Sequence, residues 1–489
     1  MADFGFVGPS YEAASIYQEA QECINFYPEI DPLKPPGSRG VVALYPTPGL
    51  TSILQLNNAP VRGMRTLSGG KYLVVIVGSI VYSVTYSNGY ISNQIGFLYS
   101  NSGQVSITDN VTTNNGLTAY IVDGLNRYTW IASTNKFASL PANDGPWQGA
   151  NICDVVDNYI IYNQPGTQNW AATDLGLATS GNAYYGTKDG APDPLVSLIV
   201  DHRQVFLLGE FTAEMWTDVG NVIPGIISFP FQRVTGTSVQ HGIAAPFSVA
   251  RFGEQFAFVS QDYRGQAVIG VMQGYSFKRI STHAVEQTLM NQYIADAIGY
   301  TYQLDGHEFY VVTFPTINIT WVFDLTTDMW HKWLSWDGLQ FNRHRSNCGV
   351  LFNNVYLVGD YANGKIYQLD NAVYTEAGNT IRRLRRCPHL VTDLQRQYFA
   401  ELQIQFQPGV GLQTGQGQNP QAMLRWSNDG GSTYSNEHWV SIGAVGKYKN
   451  RAIWRRLGWS RDRIYEVSIS DPVKTVIVSA NLKSEGGEN

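Results

Sequence analysis

Between Lys447 and Arg463 the chain interleaves cationic and aromatic side chains: Lys447, Tyr448, Lys449, Arg451, Trp454, Arg455, Arg456, Trp459, Arg461 and Arg463. Such a strip suits one of two chemistries. Arginines can hold phosphates while tryptophans stack on bases, or Trp454 and Leu457 can be the buried side of a strand pair whose arginines line a protein interface. The chain's net charge of −6 favours the interface, because a nucleic-acid footprint is normally basic. A second run, Arg382, Arg383, Arg385 and Arg386, offers planar guanidiniums suited to docking on carboxylates of a partner or symmetry mate; a solvated linker or a nuclear-type signal is the plainer reading. The expected partner-interface residues are therefore Arg382, Arg383, Arg385, Arg386, Arg451, Trp454, Arg455, Arg456, Trp459 and Arg461.

A third constellation, Ser427, Asp429, Gly431, Thr433 and Tyr434, has the form S-x-D-x-G-x-T-aromatic and resembles the Asp-box of sialidase-type propellers. In that motif Asp and Gly build a tight hairpin turn with the aromatic packed beneath, so a structural turn is expected here. A sialidase-like or lectin-like carbohydrate-active propeller remains the alternative, although it would need several boxes, an arginine triad and a tyrosine with an acidic partner. Nucleophile-elbow, P-loop and H-E-x-x-H motifs are missing, since His307-Glu308 is followed by Val311 where the second histidine should stand. The eight histidines are dispersed, and Cys23, Cys153, Cys348 and Cys387 lie too far apart in sequence for a zinc cluster or disulfide framework. They read as ordinary buried thiols. No catalytic residue, cofactor or metal is expected, and no enzyme activity.

The elements that must position these residues follow from composition and repetition. Of 489 residues, 44% are hydrophobic, 13% aromatic and only 15% charged, against about 25% charged in an average soluble protein. Disorder and a charged helical rod are excluded. The longest apolar run, 72–82, contains Gly78 and Ser79 and falls short of the roughly 20 residues of a membrane-spanning helix; neither a membrane anchor nor a signal peptide is read. From residue 381 onward there are 15 Lys plus Arg and 9 Asp plus Glu, a net of +6, which leaves 18 basic and 30 acidic residues before it, a net of −12. An acidic body precedes a basic tail domain.

Short runs of Val, Ile, Tyr, Phe and Thr between Gly, Asn, Asp and Pro clusters predict an all-β chain. One pattern recurs seven times: an aromatic and β-branched strand, a turn, then a second strand carrying an aromatic or branched residue. The copies begin near Tyr72, Leu117, Tyr159, Val205, Phe256, Phe309 and Val355, roughly 40 to 50 residues apart, the period of a four-stranded propeller blade. The sequence thus predicts an extended N-terminal strap over 1–58, a β-propeller of about seven blades over 59–383, and a C-terminal β-sandwich-like domain over 384–489. Between two strands of the last domain lies an uncharged Gly and Gln stretch, 407–418, expected to be a flexible or partner-ordered loop.

The C-terminal string Leu424-Arg425-Trp426-Ser427-Asn428-Asp429-Gly430-Gly431, with Ile442-Gly443, Gly446-Lys447-Tyr448, Trp454-Arg455-Arg456-Leu457-Gly458 and Arg461-Asp462-Arg463, resembles the packaged-DNA-stabilisation, or tail accessory nozzle (hub), proteins of short-tailed phages (podophages). Asn25-Phe26-Tyr27-Pro28 and Pro46-Thr47-Pro48-Gly49-Leu50 look like its N-terminal counterpart. The resemblance implies a structural virion protein, assembled in the host cytoplasm and carried in the tail. It implies a homohexameric ring below the portal and its adaptor, passage of genomic DNA through the channel without sequence recognition, and docking of a tail needle, fibre or tailspike.

Overall fold

The computed structural model describes residues 2–35, 40–181, 184–220, 229–261 and 265–486. Seven sheets form a β-propeller. Their first strands, Val61–Thr66, Ser106–Thr112, Cys153–Val156, Leu195–Asp201, Ala250–Phe252, Ile298–Leu304 and Ser346–Phe352, all contribute to the lining of one axial cavity of about 230 Å³. The seven repeats read from the sequence are the second and third strands of the blades, from Leu73–Val77 with Ile80–Tyr86 in blade 1 to Val355–Asp360 with Lys365–Asp370 in blade 7. Every residue of Leu73–Val77 is buried. A blade stacked between two neighbours loses both faces to the core, which is why these strands are continuous apolar runs and not alternating ones.

In blades 3, 4 and 7 two-residue turns join the first strand to the second. Asp157-Asn158, His202-Arg203 and Asn353-Asn354 each place two consecutive residues at positive φ, the geometry of two-residue hairpins whose twist matches the strands. Asp and Asn tolerate it readily; His202 and Arg203 do not, but their side chains pair with Asp201 at 2.9 Å and Asp157 at 2.8 Å.

The N-terminal segment is extended, and it is woven through both domains. Gly49–Gln55 forms the fourth strand of blade 7, antiparallel to Lys365–Asp370, so the two ends of the array close on each other. Gly49 is required there, because a Cβ would lie 2.3 Å from the Val373 carbonyl oxygen. Ala20–Ile24 pairs in parallel with Met329–Lys332, the outer strand of blade 6, through Ile24 and Lys332. On its other side it pairs antiparallel with Arg383–Arg386.

Through that strand the sheet of blade 6 continues without a break into the C-terminal domain, adding Asp462–Ile469, Gln421–Ser427 and His438–Ser441. The opposing sheet of the sandwich comprises Phe26–Ile30, Val42–Pro46, Ile477–Gly486, Gln397–Phe406 and Ala452–Arg455. Phe26, Leu44, Leu402, Ile404, Leu424, Trp454, Ile464, Val467, Ile469 and Ile477 fill the space between the sheets.

Candidate functional site

Of the residues singled out in the sequence, the arginine run 382–386 lies at the junction of propeller and sandwich. The centre of that junction is Asn25, fully buried at positive φ (58°) between strands Ala20–Ile24 and Phe26–Ile30. Asparagine accepts that conformation better than most residues and can bond locally from it. Its Nδ2 donates to the carbonyls of Leu334 and Arg382, both at 2.8 Å, while Oδ1 accepts from the Leu334 amide at 2.9 Å. Its own amide donates to Lys332 O at 2.9 Å, and its carbonyl accepts from the Thr47 amide and hydroxyl. One side chain ties the end of blade 6 to the start of the sandwich.

Beside it, Lys332 Nζ donates to Glu22 Oε1 at 2.7 Å with both side chains nearly sealed. Burial pushes the Glu22 carboxyl up, but the Lys332 ammonium and the Arg386 guanidinium outweigh it and bring it down to about 2. The charge is kept by its partners, and removing one partner of such a pair is costly.

The arginine run was expected to dock on a partner or symmetry mate; the structure places these side chains on this chain's own groups. Arg385, fully buried, donates to Phe6 O at 2.6 Å, Pro9 O at 2.7 Å, Glu22 O at 3.3 Å and Gln21 Oε1 at 2.6 Å. Arg386 pairs with Glu466 at 2.9 Å, and Arg425 reaches the other oxygen of Glu466 at 2.5 Å. Arg382 pairs with Glu437 at 3.3 Å and lies over Trp336. Arg383 is buried over the Tyr374 ring, and burial draws its guanidinium down to about 10. The physical reason is topological: the strand Arg383–Arg386 is interior to a sheet, between Ala20–Ile24 and Asp462–Ile469.

The S-x-D-x-G-x-T turn lies on the sandwich at the far end of strand Gln421–Ser427, outside the blades. Ser427 Oγ donates to Asp429 Oδ1 at 2.7 Å and accepts from the Gly431 amide at 2.8 Å. Asp429 accepts from the Thr433 amide and hydroxyl at 2.9 and 2.6 Å. Tyr434 then carries Arg425 and Arg386 over its ring at 4.7 and 5.3 Å. Two motifs about fifty residues apart in sequence thus form one cluster, which also takes in Arg463, whose Nε donates to Asn428 Oδ1 at 2.8 Å.

The basic and aromatic strip divides. Trp454 is buried in the sandwich core, its indole donating to His438 O at 2.8 Å. Arg451, Arg455, Arg456, Trp459 and Arg461 are exposed; Arg455 pairs with Glu401 at 2.8 Å, and Trp459 lies beneath the Arg396 guanidinium at 4.1 Å. Sequence reading missed Glu22, Lys332 and Glu466 as members of the junction. Isolated charged residues in strands carry no local signal of a partner hundreds of positions away. Burial pushes the thiols of Cys23, Cys153, Cys348 and Cys387 up to about 12.

This arrangement, a propeller whose sixth blade runs into a sandwich, is matched in two parts by family models. "Bacteriophage P22 Gp10, beta-propeller" covers residues 23–374 and "Bacteriophage P22 Gp10, beta-sandwich" covers residues 382–485. The chain belongs to the bacteriophage P22 Gp10 family. A curated relative, tail hub protein gp10 of Salmonella phage P22, is 20% identical over 423 residues, spanning 84% of each chain. Family membership makes this chain a structural phage tail component. Among solved structures, the WD40 β-propeller domain of Doa1 is 10% identical at a TM-score of 0.39, covering 65% of this chain and 97% of its own. The N-terminal domain of Nup159 is 10% identical at a TM-score of 0.38, covering 71% and 98%. PorZ of Porphyromonas gingivalis is 11% identical at a TM-score of 0.38, covering 72% and 44%.

Proposed function

We propose that this Gp10-family chain is the tail nozzle, or hub, of a short-tailed phage. Six copies form a ring below the portal adaptor that retains the packaged genome, provides the ejection channel and gives attachment ground to a needle, fibre or tailspike. The observation that carries this reading is the unbroken sheet from blade 6 into the sandwich, pinned by Asn25 and by the buried Lys332–Glu22 pair. A continuous hydrogen-bonded sheet fixes the angle between two domains, as a ring holding DNA under pressure requires. The exposed arginines of the basic sandwich and the acid surplus of the propeller support contacts between unlike surfaces, and such head-to-tail contacts generate a ring where the rotation closes.

The channel belongs to the ring, not to a single propeller. The first strands of all seven blades converge on the axis of each propeller around a cavity of about 230 Å³. A lumen walled by acidic propeller surface would let DNA slide, since each neutralised phosphate adds affinity. Mass measurement and electron microscopy of the protein with its adaptor test the reading: six copies on one axis are expected, and a stable monomer indifferent to the adaptor overturns it.

A further inference from the structure

Blade edges are where a propeller is vulnerable, because each outermost strand carries a row of backbone N–H and C=O groups facing away from its sheet. Proteins blunt such edges by keeping them short, placing Lys or Arg on them, or covering them. Six blades of this chain do so. The outer strands of blades 2 to 5 are Lys136–Ser139, Tyr185–Thr187, Phe231–Arg233 and Ser276–Arg279, none longer than four residues and three of them carrying Lys or Arg. The outer strand of blade 6, Met329–Lys332, is covered by Ala20–Ile24, and that of blade 7, Gly49–Gln55, is met by Thr375–Glu376.

Blade 1 departs from this rule. Its outer strand, Tyr90–Phe97, is eight residues long and among the described residues pairs only with Ile80–Tyr86. It lies inside residues 72–108, which contain no Asp, Glu, Lys or Arg. Ile91, Ser92, Asn93 and Gln94 are exposed in succession, so this central stretch stands clear on both faces, whereas Tyr90 packs towards Phe352 of blade 7 and Gly96 against Phe137 of blade 2; exposed Tyr86, Phe97 and Tyr99 lie around it. A bulge between Gln94 and Gly96 leaves Tyr90–Gln94 as the regular stretch, about the length of an ordinary strand.

We propose that the outer edge of blade 1 accepts an extended, uncharged strand from another tail polypeptide, which adds to the blade by backbone hydrogen bonding. Alternating donors and acceptors along an open edge are satisfied by extended backbone, and this is how strand-accepting domains capture their partners. The neutrality of the edge selects a neutral strand, because a charged one would be desolvated against Ile91 and Phe97 without a counter-ion. A second copy of the same edge fits less well: pairing like edges is two-fold and closes at a dimer, whereas the ring reading, on which this inference rests, needs unlike surfaces in contact.

The test compares amide hydrogen exchange of the purified protein with that of the same chain in assembled tails, alongside the paired substitution Ile91→Lys with Gln94→Lys. Exchange of outward-facing amides in 90–94 is expected to slow at least tenfold on tail assembly. The lysine variant should keep its melting temperature yet lose at least tenfold in incorporation, while Ser276→Lys on blade 5 incorporates normally. Unchanged exchange, or normal assembly of the lysine variant, overturns the proposal. So does concentration-dependent protection in the purified protein alone, which would make a second copy the occupant. Absence of the chain from the tails overturns the tail reading itself, a failure seen in tail composition and not in exchange rates.

Discussion

Lys332 and Glu22, 310 residues apart in the chain, meet at 2.7 Å inside the seam where blade 6 becomes the sandwich. The pair is set by the parallel bridge between Ile24 and Lys332, so it reports directly on whether the two domains are joined. Glu22→Gln leaves a buried ammonium short of its counter-ion and is expected to cost about 3–5 kcal/mol, read as a lowered denaturation midpoint. Because the folded Glu22 carboxyl lies at about 2, below its ordinary 4.5, its contribution is complete above pH 4.5 and fades as pH falls towards 2. The glutamine variant should flatten that part of the acid-stability profile.

Asn25 separates backbone conformation from side-chain bonding. Asn25→Gly keeps the positive φ but loses the bonds to Leu334 and Arg382, and it is expected to destabilise by about 2–4 kcal/mol, since buried groups are left unpaired. Asn25→Ala should cost about 1 kcal/mol more, the strain of a Cβ at that φ. Equal stability of the two variants in denaturant titrations would show that conformation contributes nothing here.

Two histidines should respond to pH in opposite senses. Burial holds His331 down at about 4, and neither of its ring nitrogens has a hydrogen-bond partner, so the neutral form is the folded form. Stability tied to it is complete above pH 6.5 and is lost as pH falls towards 4. Burial also opposes charge on His307, but the hydrogen bonds its ring donates to Asp324 at 2.7 Å and Glu29 at 2.5 Å raise it to about 9. Its contribution is complete below pH 6.5 and is lost as pH rises through 9. Melting curves of His331→Phe should lose sensitivity between pH 6.5 and 4, and those of His307→Gln between pH 6.5 and 9.

Within the basic and aromatic strip, the two tryptophans should behave differently. Trp454→Ala empties a core position and is expected to cost about 3–5 kcal/mol. Trp459, 49% exposed, should change stability by no more than about 1 kcal/mol on truncation. If Trp459→Ala nevertheless weakens ring assembly in sedimentation, the exposed half of the strip is an assembly surface.

The turn at Asp429 should act locally. Asp429→Ala removes acceptors for Thr433 and Ser427 and is expected to speed amide exchange in 427–434 while leaving the blades unchanged. Faster exchange in the blades as well would show coupling across the seam.

The all-β class, the seven repeats and the change from acidic body to basic domain are legible in the amino-acid order alone. Those features are local or periodic: a blade's central strands must be apolar throughout because both faces are covered, and that pattern is written in consecutive residues such as Leu73–Val77. The Asn25-Phe26-Tyr27-Pro28 and Trp454-Arg455-Arg456-Leu457-Gly458 strings carried the family resemblance for a similar reason, since each is short and contiguous. The employment of the charges emerges with the packing of the strands. Arg383–Arg386 reads as a surface run, yet a strand from residues 20–24 on one side and another from 462–469 on the other turn it into the interior of a sheet. Of the guanidiniums there, Arg385 and Arg386 find carbonyls and carboxylates within the chain and Arg383 lies over the Tyr374 ring, because unpaired burial of charge is costly; the partners Phe6, Glu22 and Glu466 lie as much as 379 residues away. Separation of that kind leaves no trace in local spacing; the sheet order alone brings the partners together.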